Sequence, residues 1–134
     1  MDNNRLELAK YWMEKAWNSF STAKHEFNRD NIDFCVNRLY YAVFYAVSSV
    51  LVIKGKSYNK HSAVRVALHR EFVKSGIIPI EYGKLYDALL QDREEADYVA
   101  FVDFDPGVIK EELKQTEEFI ILFKKLLNEE IDNQ

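Results

Sequence analysis

Three groups of side chains stand where a helical period calls for apolar residues, and burying a charge is costly unless a partner meets it. The first lies in Asn37-Arg38-Leu39-Tyr40-Tyr41-Ala42-Val43-Phe44-Tyr45, where Arg38, Tyr41, Tyr45 and Ser48 recur at steps of three, four and three. The second is Arg93-Glu94-Glu95-Ala96-Asp97-Tyr98. Arg93 follows Leu89 by four and precedes Ala96 by three, so it points inward, and Asp97 one turn later can pair with it. The third is Lys60-His61-Ser62, at the expected start of a helix, where free N–H groups and the dipole favour an anion. The same dipole favours a neutral imidazole, hence a base near neutral pH.

Each group has a plain structural alternative. Arg38 can be held by a carboxylate on another helix with the tyrosine hydroxyls hydrogen-bonded, and Arg93 with Asp97 can be an internal ion pair. His61 borders the apolar positions Val64 and Leu68, so a hydrogen-bonded core histidine also fits; His25 and His69 read as surface or boundary residues. There is no Gly-rich phosphate loop, no Gly-x-Ser-x-Gly elbow, no paired cysteine and no His-Glu-x-x-His or Glu-x-x-His metal pattern. The sequence therefore calls for no metal and no cofactor.

The elements that must position these groups are helical. Ala9, Trp12, Met13, Ala16, Phe20, Ala23 and Phe27 step by three and four, which predicts an amphipathic first helix ending near Arg29 to Asn31. From Ile32 to Lys54 apolar residues occupy nearly every face, so the second helix is expected at the centre, stopped by Gly55. A third helix is expected from Asn59 as N-cap to Gly76, and a fourth from after Pro79 to about Tyr98. Val99 to Phe104 reads as a loop. Asp105-Pro106 then opens a long fifth helix, with Ile109, Leu113, Thr116, Ile120, Phe123 and Leu127 as its seam. Short connections between such helices make an all-α, up-and-down bundle of four to five helices in one domain over 1–134, with frayed ends at about 1–4 and 131–134.

With 134 residues and 48% hydrophobic content the chain can fill a real core, and its 4 Gly and 2 Pro disfavour a many-turned sandwich or barrel. The single Cys35, between Phe34 and Val36, reads as a small buried hydrophobe in a reducing compartment, consistent with a cytoplasmic location. The N-terminus is polar, unlike a signal peptide, and the apolar run Ala42 to Ile53 is interrupted by Ser48 and Ser49, so no membrane role is expected. The net charge of −4 is unevenly spread. Between Lys54 and Lys74 six cations face only Glu71, whereas between Glu81 and Glu118 twelve acids face Lys84, Arg93, Lys110 and Lys114. Either acidic and basic helices meet, within the chain or across a dimer, or the basic segment holds an anion.

Asn-Arg-Leu-Tyr-Tyr-Ala-Val-Phe-Tyr (37–45), Lys-His-Ser (60–62), Glu-Phe-Val-Lys-Ser-Gly (71–76) and Arg-Glu-Glu-Ala-Asp-Tyr (93–98) together make the chain resemble the small stand-alone HEPN proteins of bacteria and archaea. The resemblance implies a helical bundle, a homodimer, and a minimal nucleotidyltransferase as partner in a toxin–antitoxin pair. In active members it implies a metal-independent ribonuclease built on an Arg, a spacer of about four to six residues, and a His. The histidine moves a proton at the ribose 2′-OH or the leaving oxygen, while arginine stabilises the phosphorane. This sequence departs from that pattern: a spacer of six residues after Arg38 leads to Tyr45, and a spacer of four after Arg93 leads to Tyr98, preceded by Asp97. Tyrosine with an ordinary pKa of about 10 is a poor base at neutral pH. His61 can replace the missing histidine only if it converges with Arg38 or Arg93.

Three functions follow as expectations. The first is a nucleotide- or RNA-phosphate-binding module, acting with a nucleotidyltransferase-type partner, whose binding residues are Lys60, His61, Arg38, Tyr41, Tyr45, Arg93, Asp97 and Tyr98. The second is a ribonuclease toxin with His61, Arg38 and Arg93 as its catalytic candidates. The third is a dimerisation or adaptor module in which the two arginines only hold the bundle together.

Overall fold

The computed structural model describes residues 3–133, and among them the regular structure is helical throughout. Helix α1 spans Asn3–Asn28, α2 Ile32–Ile53, α3 His61–Ala67, α4 Ile80–Tyr98 and α5 Pro106–Asp132. The expected fraying at 1–4 and 131–134 falls partly outside the described residues. Within them, Asn3, Asn4, Ile131 and Asp132 are helical.

The α1–α2 pair is antiparallel, because the Ser49 hydroxyl donates to Ala9 O (2.5 Å) at one end and the Ser19 hydroxyl to Arg38 O (2.7 Å) at the other. Ala9, Ala16 and Ala23 face this contact at full burial, seven residues apart, so the two backbones approach closely. Asp30, at φ +63°, turns the chain: its N–H donates to Phe27 O and that of Asn31 to Glu26 O, the paired bonds of a left-handed helix stop. Gly55, at φ +84°, ends α2 in the same way, with Gly55 N–H on Val52 O and Lys56 N–H on Leu51 O.

Helix α2 is the centre of the bundle and meets α1, α4, α5 and α3. By length and apolar composition it would also pass for a membrane span, yet 67% of its most apolar window is buried inside the domain, as a core helix requires. Helix α5 closes the bundle with Ile109, Thr116, Phe119, Ile120, Phe123 and Leu127. Phe119 and Phe123 stack at 4.6 Å, and Phe123 reaches Phe72 at 5.4 Å. The Asp105 carboxylate accepts from Gly107 N–H (2.9 Å) with Pro106 in the first turn, the expected cap.

Two expectations about α3 are corrected. The cap position is Lys60 rather than Asn59, extended and without a side-chain cap bond. The helix also does not run uniformly to Gly76: after Ala67 it widens into a π-helix over Leu68–Val73. Such bulges accommodate an extra residue where packing demands it.

Candidate functional site

The three sequence groups do converge in part, and the platform is a tyrosine pair on α2. Tyr40 is fully buried, Tyr41 half-buried. The Arg93 guanidinium, from α4, lies 5.5 Å from the centre of each ring, and the Arg38 guanidinium 4.9 Å from that of Tyr41. From α3 the His61 imidazole stands 5.9 Å from Tyr40 and 5.8 Å from Tyr41, and packs on Phe44 at 4.1 Å. Two guanidiniums and one imidazole, from three helices, thus share one aromatic surface.

His61 is exposed on its outer side, so it is not a core histidine. Its Nδ1 meets the Tyr40 hydroxyl at 3.1 Å. Burial of the inner ring face, followed by the nearby charge of Arg93, lowers its pKa below the ordinary histidine value, so the neutral imidazole prevails at neutral pH. A hydroxyl both donates and accepts, so Tyr40 can accept from Nδ1–H and leave Nε2 as the basic nitrogen. Burial raises the pKa of Tyr40 itself, partly offset by Tyr86 and by Arg93, so it stays a neutral hydrogen-bonding group.

Arg93 pairs with Asp97 one turn on, Nε to Oδ2 at 3.3 Å, an ionic contact whose geometry falls short of a hydrogen bond. Arg38 is not held by a carboxylate, contrary to one expectation. Its Nε and Nη2 donate to Asn37 Oδ1 at 3.0 and 2.8 Å, and its plane lies over Tyr41. A guanidinium fixed by a neutral amide keeps its full charge for an anion.

The remaining candidates stand apart. Tyr45 turns towards α1, stacked on Trp12 at 5.5 Å under the Lys15 ammonium. Tyr98 is 79% exposed at the end of α4, away from the rings. Lys60 is exposed at the cap position and makes no ion pair among the described residues, and a helix of seven residues has too small a dipole to form an anion site by itself. The cationic groups, not the helix end, make this centre attractive to anions.

Sequence reasoning missed two things here. Tyr40 lies within the all-round apolar pattern of α2, yet it carries the hydroxyl that orients His61. His69, read as a boundary residue, donates from Nε2 to Asp87 Oδ1 (3.0 Å), where Arg65 also binds bidentately at 2.7 and 3.1 Å. Gly83 makes room for it: a Cβ there would lie 2.9 Å from His69 Cε1. An arginine and a histidine four apart, opposite a glycine inside a helix, were the available signal. This clamp joins α3 and the π-helix to α4, so the basic and acidic segments meet within the chain, as one of the two charge readings expected. Among the described residues no cluster of three or more His, Cys, Asp or Glu side chains is arranged to hold a metal ion.

Comparison with known proteins agrees with this architecture. A UPF0332 protein of Thermotoga maritima is 35% identical over 127 residues, covering 95% of this chain and 96% of that one. A protein of Methanocaldococcus jannaschii named as a candidate toxin is 31% identical over 140 residues, covering 96% of this chain and 91% of its own. The family model described as the HEPN domain matches residues 9–126, and the chain belongs to the HEPN family.

Proposed function

We propose that this domain binds the phosphate of a nucleotide or an RNA strand between His61, Arg93 and Arg38, in a toxin-like role, as a cytoplasmic homodimer working with a nucleotidyltransferase-type partner. One observation carries this reading: two guanidiniums and a neutral imidazole share the Tyr40–Tyr41 surface, with Asp97 as the carboxylate paired there. Delocalised cations over aromatic rings suit a phosphate lying beside a base. The toxin reading rests on the name of the Methanocaldococcus relative. The dimer reading rests on apolar surface left uncovered at the end of α4 and in the loop after it: Tyr98, Val99 and Phe101 are 79, 56 and 101% exposed. Light scattering of wild type and Phe101→Asp tests it; an unchanged monomer mass in both rejects it.

The binding test is a titration with a 5′-phosphorylated oligoribonucleotide across a salt series. Arg93→Met and Arg38→Met should each weaken binding at low salt and flatten the salt dependence by roughly one unit of log–log slope. His61→Ala with Lys60→Ala should weaken it further. If all these variants bind like wild type, the centre is not a phosphate site.

A second reading is favoured by the lowered pKa of His61 beside Arg93. In it, Nε2 of His61 takes the proton of a ribose 2′-OH, the 2′-oxygen attacks the adjacent phosphorus, and the 5′-oxygen leaves with a proton from the His61 imidazolium or from water, giving a 2′,3′-cyclic phosphate and a 5′-hydroxyl end. Arg93 and Arg38 stabilise the phosphorane. RNA incubated with the protein in EDTA should yield those ends, and His61→Ala should abolish them; intact RNA at high protein concentration rejects this reading.

A further inference from the structure

Lys110 and Lys114, two of the four cations between Glu81 and Glu118, stand one turn apart on α5 and line the same groove, which runs between α5 and α1. Lys24 of α1 lines it as well. All three are exposed, and none makes an ion pair among the described residues. For Lys114 this is notable, since Glu111, Glu117 and Glu118 are all within helical reach of it. Lys110 and Lys114 also repel each other at this spacing, a small cost to the helix that a bound anion relieves. A chain of net charge −4, with its acids concentrated in this segment, thus gathers three free ammonium groups at one place against the single lining acid Glu117.

The floor between them is apolar. Phe20 and Phe27 are two turns apart on α1, about 10 Å of helix at 1.5 Å per residue, and Leu113 joins them from α5. Phe20 is buried and the other two are half-buried, so the apolar surface lies recessed beneath the exposed lysines. The Lys24 ammonium rests 5.8 Å from the centre of the Phe20 ring, a surface contact that an incoming carboxylate can replace. The groove has a volume of about 290 Å³ and is open along one side.

This arrangement selects among anionic partners. A flat bilayer meets the lysines but cannot reach a recessed floor, because membrane-binding faces carry protruding apolar side chains. A nucleic-acid backbone neutralises the lysines and leaves the floor wet. A helix with apolar anchors at steps of four and three spans the same two turns and sets them on the floor, with acids on its flanks meeting the three ammonium groups.

We infer that the α1–α5 groove docks an acidic amphipathic helix of a partner protein. The inference is independent of the phosphate reading, since the groove shares no residue with the Tyr40–Tyr41 centre.

The test uses a fluorescein-labelled, alanine-based helical peptide of about 15 residues, with leucines at steps of four and three and glutamates flanking them. Binding to the intact protein is read by fluorescence anisotropy. Contact is read by the Leu113 methyl signals in two-dimensional NMR, identified by their loss in Leu113→Met. The peptide should bind and shift those signals, and a scrambled peptide of the same composition should bind about tenfold or more weakly. Lys24→Gln, Lys110→Gln and Lys114→Gln together lie on the surface and leave the core untouched. They should weaken the peptide about tenfold, the scale of three surface ion pairs, while Arg70→Gln with Lys74→Gln on the other basic face should change nothing. Absence of binding, equal affinity for the scrambled peptide, or affinity that survives the triple substitution overturns the inference. So does a larger Leu113 shift with vesicles containing phosphatidylserine or with an oligoribonucleotide, which would assign the groove to a membrane or to RNA.

Discussion

Glu112 should make this domain less stable as the solution becomes alkaline, and Glu112→Gln should remove that dependence. The residue lies on the inner face of α5 at 7% exposure, its Oε1 without a hydrogen-bond partner, and its carboxyl faces Asp92 of α4. Burial first, then the hydrogen bond and charge of Asp92, push its pKa from 4.5 up to about 8. The folded protein therefore holds this proton more tightly than the unfolded chain does. The associated stability is complete below about pH 4.5 and is lost progressively as the pH rises towards 8. At about 1.4 kcal/mol per pH unit the full effect is on the order of 3–5 kcal/mol, a large share of a small domain's stability. Glutamine keeps the shape and a donor for Asp92 but has no proton to lose. Urea unfolding followed by circular dichroism at pH 5, 7 and 9 should show wild-type stability falling across the series, with the variant nearly level and overtaking it at pH 9. Parallel curves for the two proteins would refute the assignment of the buried proton to Glu112.

Other outcomes follow from the same geometry. Gly83→Ala gains helix propensity, yet its Cβ would meet His69 Cε1 at 2.9 Å and Val73 Cγ2 at 3.0 Å; a net loss of about 1 kcal/mol is expected in thermal unfolding, with displacement of His69 seen in its NMR ring signals. Asp105→Ala removes the α5 cap and should lower stability by about 1 kcal/mol, measured by urea denaturation. Arg93→Met separates binding from architecture. A partly exposed cation whose Nε lacks a hydrogen bond contributes little to stability, so its melting temperature should fall by only a few degrees or rise while binding is lost. A large fall with normal binding would instead assign Arg93 to the adaptor reading.

Much of the fold is written locally in the chain. Asp105-Pro106 and Gly55 mark helix ends because capping is decided within a few residues, and α2 reads as central because its apolar residues leave no solvent face. The π-helix is not written locally, since its wider turn follows from how Leu68 and Phe72 seat against other helices. Nor was Glu112 visible: the seam of α5 was assigned through Leu113, which is only half-buried, whereas Glu112 takes the inner position beside it. At the site, periodicity placed Arg38, Arg93 and His61 on inward or terminal positions, but their meeting depends on the crossing of three helices. Tyr40 escaped notice because one period describes both a core ring and a ring with a working hydroxyl.

The hydroxyl-to-carbonyl bonds of Ser49 and Ser19 fasten α1 to α2 over a single short turn, so this hairpin can assemble before the rest of the chain has been organised. It contains Trp12, Tyr40, Tyr41, Phe44 and Arg38, whereas His61 and Arg93 lie on α3 and α4, outside the hairpin. Hydrogen exchange should accordingly be slowest in the facing turns of α1 and α2 and faster in α3. The hairpin by itself would possess the aromatic floor without the imidazole or the Arg93 guanidinium, so the proposed phosphate site exists only in the complete bundle.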